Sequence, residues 1–561
     1  MKTAALIVAC MIRQAVAAAN LTLVVHHVYD GAPLKFDTPV ATNAGEKISI
    51  SRLAYLVSEP SLKDNHDWLT THHWVAFVDA TKGSATRALD QLPPAKYNAL
   101  RFSVGLLPEV DASDPASYPA GHALNPNVNG LHWGWAGGFV FLALEGHHGA
   151  AAEGFSYHIA GAQNRMEVTL PIALDLTTDT TVELDFHVDQ LFAQTTRIAD
   201  QNSTHSRGGD AMPPQITTAV ECAFTIRSIH ATEAIASAAA TTSDSVGTPF
   251  TLKIPRGIPV PDLPADFRLT NERVALGQAL FHETRLSRDN TQSCASCHDP
   301  QHAFADTKRF SIGVEGALGS RNAMSLFNLG WKHEFFWDGR APSIRTQVIE
   351  PITRAEEMHA SLDEVVAKIS ADETYRGLFA AAFGAADITA DRIGIALESF
   401  VLTLTSFDSR FDRAMRGEAK LSETEKRGFQ LFVTEYDPRQ QQFGADCFHC
   451  HGGPLFTDNQ FHNNGMPPLG HNSGRVRVTR RDSDRWKFAT PSLRNVALTA
   501  PYMHDGRFAS LEDVIEHYDH GVVRSETLDP NLAKHPPTGL GLSTGDKAAL
   551  VAFLKTLTTE P

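Results

Sequence analysis

The sequence predicts a multidomain chain: an N-terminal all-β sandwich followed by a mainly α-helical unit of two subdomains. Three observations carry this reading. Short apolar runs separated by turn clusters fill residues 20–230, the pattern of strands that bury one face. Composition then shifts over 231–264 to Ala, Ser and Thr, followed by Pro249, Pro255, Pro259, Pro261 and Pro264, which reads as an exposed linker. Beyond it the apolar spacing becomes helical, and one Cys-x-x-Cys-His run falls in each half, dividing the region into 265–420 and 421–561.

In chain order, Met1-Lys2, an apolar stretch from Ala4 to Ile12 and Ala17-Ala18-Ala19 form a signal peptide over 1–19, cleaved near Asn20. Arg13 interrupts its pattern, and Ile7-Val8-Ala9-Cys10 offers the alternative of lipid anchoring at Cys10. Both imply export, with the periplasm as destination. No later apolar run is long enough for a transmembrane segment. Leu21–Val25, Phe139–Leu144 and Val182–Phe186 read as strands. In the helical region Asn271 is placed to cap a helix carrying Val274, Leu276, Leu280 and Phe281. Ser510 with Asp513 and Ser543 with Asp546 resemble capping boxes, and Leu550, Phe553, Leu554 and Leu557 form the apolar stripe of a last helix. A net charge of -15 argues against nucleic acid or an anionic membrane as the main partner. Outside the leader and the two runs only Cys222 remains, expected to be a buried, inert thiol.

The runs Cys294-Ala295-Ser296-Cys297-His298 and Cys447-Phe448-His449-Cys450-His451 define the cofactor chemistry. Each supplies two thiols to add to the vinyl groups of a haem and an adjacent imidazole to ligate its iron. A zinc site or disulfide needs no His directly after the second Cys. Two covalently bound haem c groups are therefore expected, with His298 and His451 as proximal ligands.

The surroundings of these runs resemble a known family. Leu276-Gly277-x-x-Leu280-Phe281, Leu286-Ser287, Phe335-Phe336-Trp337-Asp338-Gly339-Arg340 and Pro491-Ser492-Leu493-Arg494-Asn495-Val496, in that order with the haem runs, are similar to the bacterial di-haem cytochrome c peroxidase and MauG family over 265–561. The resemblance implies that the His298 haem reacts with H₂O₂ and the His451 haem stores or passes charge. It places Gln347, Pro351 and Glu357 in the distal pocket of the first haem, with Glu357 moving a proton between the peroxide oxygens and Gln347 orienting them. The stretch Val314–Ser320 lacks the His with which many such peroxidases block the resting iron, so the first haem is expected to be five-coordinate. Tyr518, fourteen residues after His504, stands where the family carries the sixth ligand of the second haem; His517 and His520 are rivals on the same helix. A phenolate there lowers the potential, whereas the Met of electron-transfer members raises it. Trp337 matches an interhaem Trp, and Asn322, Thr499 and Pro501 match a calcium site of hard oxygen donors.

The β region is rich in His and Trp, and imidazoles without thiolates suit copper or zinc. His187 shares the polar face of its strand with Asp185 and Asp189, either a metal face or a wet one. His26-His27-Val28-Tyr29-Asp30-Gly31, His132-Trp133-Gly134-Trp135-Ala136-Gly137-Gly138-Phe139 and Tyr157-His158-Ile159-Ala160-Gly161 resemble MbnP, a periplasmic copper-binding family, over 20–230. In that family a MauG-like partner, MbnH, oxidises a protein Trp to kynurenine. The chain thus looks like both partners fused. The resemblance implies copper on His27, His132 and His158, with His73 and His187 next, and Trp135 or Trp133 as the modified residue. The expected function is oxidation by H₂O₂ of a Trp in the chain's own β domain or a neighbour's. The alternatives are a peroxidase drawing electrons from a small periplasmic donor, and a copper-delivery protein whose di-haem unit serves its maturation.

Overall fold

The computed structural model describes residues 18–132, 134, 138–193, 197–206, 210–232, 246–264, 267–467, 469–470 and 472–559. The leader up to residue 17, with Cys10, lies outside them, as do Trp133 and Trp135. Ala19, which the sequence reading puts at the end of the leader, is buried at the head of the first strand.

That strand, Ala19–Tyr29, alternates buried and half-buried residues as far as His26, so one face turns to a core while the other meets polar surroundings. It pairs in parallel with Thr180–His187, bringing Leu23 beside Val182 and His27 beside Phe186. Phe224–Ala231 closes one edge of this sheet and Ala85–Leu92 pairs on the other side of the first strand. A second, larger sheet runs in the order Met166–Asp175, Lys96–Val104, Lys47–Lys63, Val140–His148, Glu153–Ala160 and Ser203–Thr204. The two sheets close on one apolar core: Phe186 stacks on Phe224 at 4.3 Å and meets Tyr55 of the other sheet edge-on at 5.5 Å. Each fully buried side chain of this size contributes roughly 1.5–3 kcal/mol, so the sandwich is held by its interior and not by its polar rim.

Each helical subdomain is built around one close helix crossing. Asn271–Phe281 packs on Ala390–Thr403 and Glu423–Phe432 packs on Thr544–Lys555. Gly277 and Gly428 sit at the crossings, where a Cβ would stand 1.9 Å from the carbonyl oxygens of Ala396 and Ala549 respectively. The two halves therefore repeat one device. Leu550, Phe553, Leu554 and Leu557 are all buried, and Ser510 and Ser543 cap their helices through Asp513 and Asp546.

Three expectations need correction. The first helix is capped by Thr270, whose side chain accepts from Arg273 N, with Asn271 already inside the helix; a Thr in extended conformation one residue earlier makes the same bond. Cys222 is exposed, because Met212, Pro213, Ile216, Ala219 and Val220 carry the buried stripe of helix Met212–Cys222 and Cys222 lies off it. The proline-rich stretch is not simply an exposed tether: Pro259 and Pro261 are buried, and Pro259 O accepts from Trp331 Nε1 at 2.6 Å. Its preceding residues 233–245 lie outside the described ones.

The β domain rests directly on the second haem subdomain. Helix Pro530–Ala533 packs against strands Val140–His148 and Glu153–Ala160. His147 Nε2 donates to Leu528 O at 2.7 Å, Asn531 Nδ2 to Glu145 Oε2 at 3.3 Å and Lys534 Nζ to Ser156 Oγ at 3.3 Å.

Candidate active site

The first Cys-x-x-Cys-His run forms a 3-10 turn over Cys294–Ser296, closed by reciprocal bonds between Ser293 and Ser296. His298 N donates to Cys294 O at 3.0 Å, and His298 Nδ1 donates to Phe304 O at 2.7 Å. That bond fixes the tautomer and leaves Nε2 as the ligating nitrogen. A cavity of about 480 Å³ opens beside the two thiols and the imidazole, within the roughly 300–1,000 Å³ typical of small-molecule sites. The residues present thus fit a haem attached to Cys294 and Cys297.

The same cavity is lined by Trp337, Gln347, Pro351 and Glu357. Ser343 caps helix Ile344–Thr353, and Gln347 and Pro351, four residues apart, project from one face of it. Glu357 follows in the next turn, where burial pushes its carboxyl above the usual range despite Arg354 at 3.6 Å and nearby Arg340. Such a carboxyl is suited to holding and returning a proton. Gly319 and Ser320, from the stretch without His, also line the cavity. Lys332 was not picked from the sequence; it lines this cavity and a smaller one behind it, and burial pushes its ammonium down to about 8. No local pattern marks it.

The second run repeats the first. Its 3-10 turn covers Cys447–His449, His451 N donates to Cys447 O at 3.0 Å, and His451 Nδ1 donates to Phe456 O at 3.1 Å. Tyr518 lies on a wide π turn, His517–Gly521, that extends helix Leu511–Glu516. Its phenol is pushed up by burial and by the neighbouring thiols of Cys450 and Cys447, and accepts from Asn464 Nδ2 at 3.2 Å. The rivals are engaged elsewhere: His517 Nε2 donates to Asn464 O at 2.9 Å, and His520 is exposed beside Glu516 and Asp519.

Between the two runs, Trp337 is buried and donates from Nε1 to Asn322 O at 2.9 Å. Asn322, Thr499 and Pro501 border one cavity of about 110 Å³ together with Trp337. Asn322 Nδ2 donates to Lys308 O at 3.1 Å, which turns the amide oxygen the other way.

The imidazoles expected to bind copper do not form one group. His27 Nε2 bonds the Tyr55 hydroxyl at 2.9 Å, and His132 packs edge-on against Phe139 at 4.8 Å. Among the described residues, neither belongs to a cluster of three ligating atoms, whereas His158 lies with His205 and His449. His187 Nε2 bonds Thr225 Oγ1 at 2.9 Å, and His73 is exposed.

The family model for di-haem cytochrome c peroxidase matches residues 271–420, and the MbnP model matches residues 18–206. The chain is 35% identical over 306 residues to methylamine utilization protein MauG of Methylophilus methylotrophus, covering 54% of this chain and 87% of that protein. It is 36% identical over 332 residues to the MauG of Methylorubrum extorquens, covering 58% and 89%. Among solved structures, a MauG-like protein associated with microbial copper homeostasis superposes with a TM-score of 0.50 at 37% identity, covering 55% of this chain and 96% of that one. No helix among the described residues is long and apolar enough to cross a membrane.

Proposed function

The chain belongs to the di-haem cytochrome c peroxidase and MauG family, fused to an MbnP domain, and on that footing we propose that it is a periplasmic enzyme that uses H₂O₂ to convert Trp135 or Trp133 of its own β domain to kynurenine. Membership makes it a peroxidase-family oxidoreductase with two haem c groups. The observation that carries the finer reading is where the β domain docks. A Cβ placed on Gly134, between the two tryptophans, would stand 3.8 Å from Gly453 Cα, and Gly453 follows the proximal ligand His451 by two residues. On this reading charge moves between the two haem centres to reach the docked β domain, and no tryptophan has to enter the peroxide pocket.

Bound at the two runs, the haems supply the iron that takes peroxide and the centre that holds charge. The protein's own groups do the rest. With H₂O₂ in the cavity, Glu357 would take a proton from one peroxide oxygen and return it to the other, and Gln347 would orient both. Pro351 removes a backbone donor from the last turn of its helix and shapes the wall beside them. Tyr518 offers a phenol oxygen to the second centre, favouring the oxidised state. Trp337 bridges the interval between centres, and Ca²⁺ on Asn322, Thr499 and Pro501 would hold that region in place. Conversion of the Trp is linked to copper binding in the β domain. Peptide mass spectrometry of the haem-loaded protein before and after H₂O₂ tests the reading. Two H₂O₂ per tryptophan yield kynurenine, formate and water, so the peptide carrying Trp133 and Trp135 should gain one oxygen and lose one carbon; an unchanged peptide from fully haem-loaded protein rejects it.

A further inference from the structure

Where the β domain meets the second haem subdomain, three imidazoles from separate segments converge. His158 comes from strand Glu153–Ala160, His205 from the coil after Ser203–Thr204, and His449 from inside the second haem run, between its two cysteines. His205 Nε2 is 3.0 Å from His158 Nδ1 and 3.0 Å from His449 Nε2, and the three ligating atoms all lie within 4.8 Å of one another. Their side chains are only 2%, 6% and 2% exposed for His158, His205 and His449.

Each ring has a buried carboxylate behind it. His158 Nε2 donates to Glu145 Oε1 at 2.9 Å, His205 Nδ1 stands 2.6 Å from Glu435 Oε2, and His449 Nδ1 stands 3.3 Å from Asp446 Oδ1. For His158 the Glu145 carboxylate holds the proton on Nε2 and leaves the Nδ1 lone pair facing the other rings, the arrangement that orients imidazole ligands around a metal; Glu435 and Asp446 place negative charge beside the other two rings. Ring nitrogens this close either share a proton in a hydrogen bond or hold a cation between them. Bonds of about 2.0 Å to imidazole place ligand nitrogens roughly 3.3–3.5 Å apart, so small side-chain shifts admit an ion.

The charges agree. Glu145, Glu435 and Asp446 are offset by two cations: Arg52 lies 2.9 Å from Glu145, and Lys534 lies 2.9 Å from Glu435 and 3.6 Å from Asp446. His535 Nε2 also bonds Asp446 Oδ2 at 2.7 Å.

We propose that His158, His205 and His449 form a copper site that spans the two domains and is complete only when the β domain is docked. Three imidazoles suit copper, and the thiols of Cys447 and Cys450 are committed to haem. The site keeps the copper of the function proposed above but replaces the ligand set of His27, His132 and His158, and it does not require a tryptophan to be oxidised.

The test is anaerobic titration of the haem-loaded, chelator-stripped full chain with Cu(I) against a competing chromophoric chelator. One equivalent should bind, and X-ray absorption should show a shell of three nitrogen donors. His205→Gln and His449→Gln should each weaken binding by more than about 100-fold, beyond the range for loss of an outer partner, and Glu435→Gln by roughly 10–100-fold. If His449→Gln lowers haem content, His205→Gln, which lies outside the attachment run, decides the matter. Wild-type affinity in the His205 variant, loss that instead follows His27→Gln and His132→Gln, or no stoichiometric copper in the parent protein would each overturn the site. Tryptophan mass measured on the same samples separates the two readings: copper bound with unmodified tryptophan defeats the kynurenine reading and leaves the site standing.

Discussion

Glu357 is the single side chain on which peroxide turnover should depend most directly. Its carboxyl is raised by burial and faces the same cavity as Cys294, Cys297 and His298, so it takes up a proton more readily than an exposed carboxylate. Glu357→Gln keeps the shape and removes the titration. It should slow the reaction with H₂O₂ by roughly 10²–10⁴-fold without changing haem content, as read by stopped-flow absorption; a loss below about tenfold would remove Glu357 from the proton path. His462 makes a different prediction, about stability. Burial alone would lower its pKa, but Asp458 at 2.8 Å and Asp529 at 2.5 Å outweigh that and push it up to about 10. A raised imidazole contributes stability that is fully present below its ordinary value of 6.5 and is lost as pH rises through about 10. His462→Gln leaves two carboxylates without their cation, a loss of about 3–5 kcal/mol for a buried pair. The gap between parent and variant in denaturant unfolding should therefore be widest below pH 6.5 and close towards pH 10. A gap independent of pH would show that packing, and not charge, sets it.

At the scale of elements, the π turn His517–Gly521 widens the last turn of its helix, and on the function proposed above this is what would set Tyr518 apart from its neighbours. Tyr518→Met should raise the potential of the second haem and shift its absorption, because a thioether favours the ferrous state where a phenolate does not. An unchanged potential would mean that Tyr518 does not ligate. Much of this was legible in the sequence because the chemistry is contiguous: a Cys-x-x-Cys-His run carries its thiols and imidazole within five residues, and Gln347 and Pro351 share one helix turn. The copper cluster was not legible. His205 lies in a stretch without periodicity, and His449 reads as filler between haem cysteines, so only the docking of a strand against a haem run brings them together. Thr270 and Cys222 show the smaller limits. A cap can move by one residue at no cost when both candidates accept hydrogen bonds, and an isolated thiol's exposure depends on which side of its helix faces the core.

At the scale of the whole molecule, the question is whether the β domain is a tethered substrate or a fixed one. A flexible linker alone would give millimolar effective concentrations and allow exchange between molecules, but the structure adds an interface to the tether. Gly154 packs so closely on helix Pro530–Ala533 that a Cβ there would stand 1.9 Å from Pro530 O. Glu435 accepts from both Ser203 and Lys534, and Glu145 accepts from Arg52, His158 and Asn531. Polar groups buried in such a network are costly to expose singly, so the domains should separate as a unit or not at all. Modification should then occur within one chain. Mixing a chain lacking both haem runs with one lacking Trp133 and Trp135, then adding H₂O₂, should leave the haem-free chain's tryptophans unchanged. Gly154→Val, which forces the helix off the strand, should reverse the pattern when placed in both partners: oxidation within the chain falls, and the freed β domain becomes open to a neighbour's haems. Efficient crossing between parent-type interfaces would mean that docking is transient and that the linker, not the interface, presents the substrate.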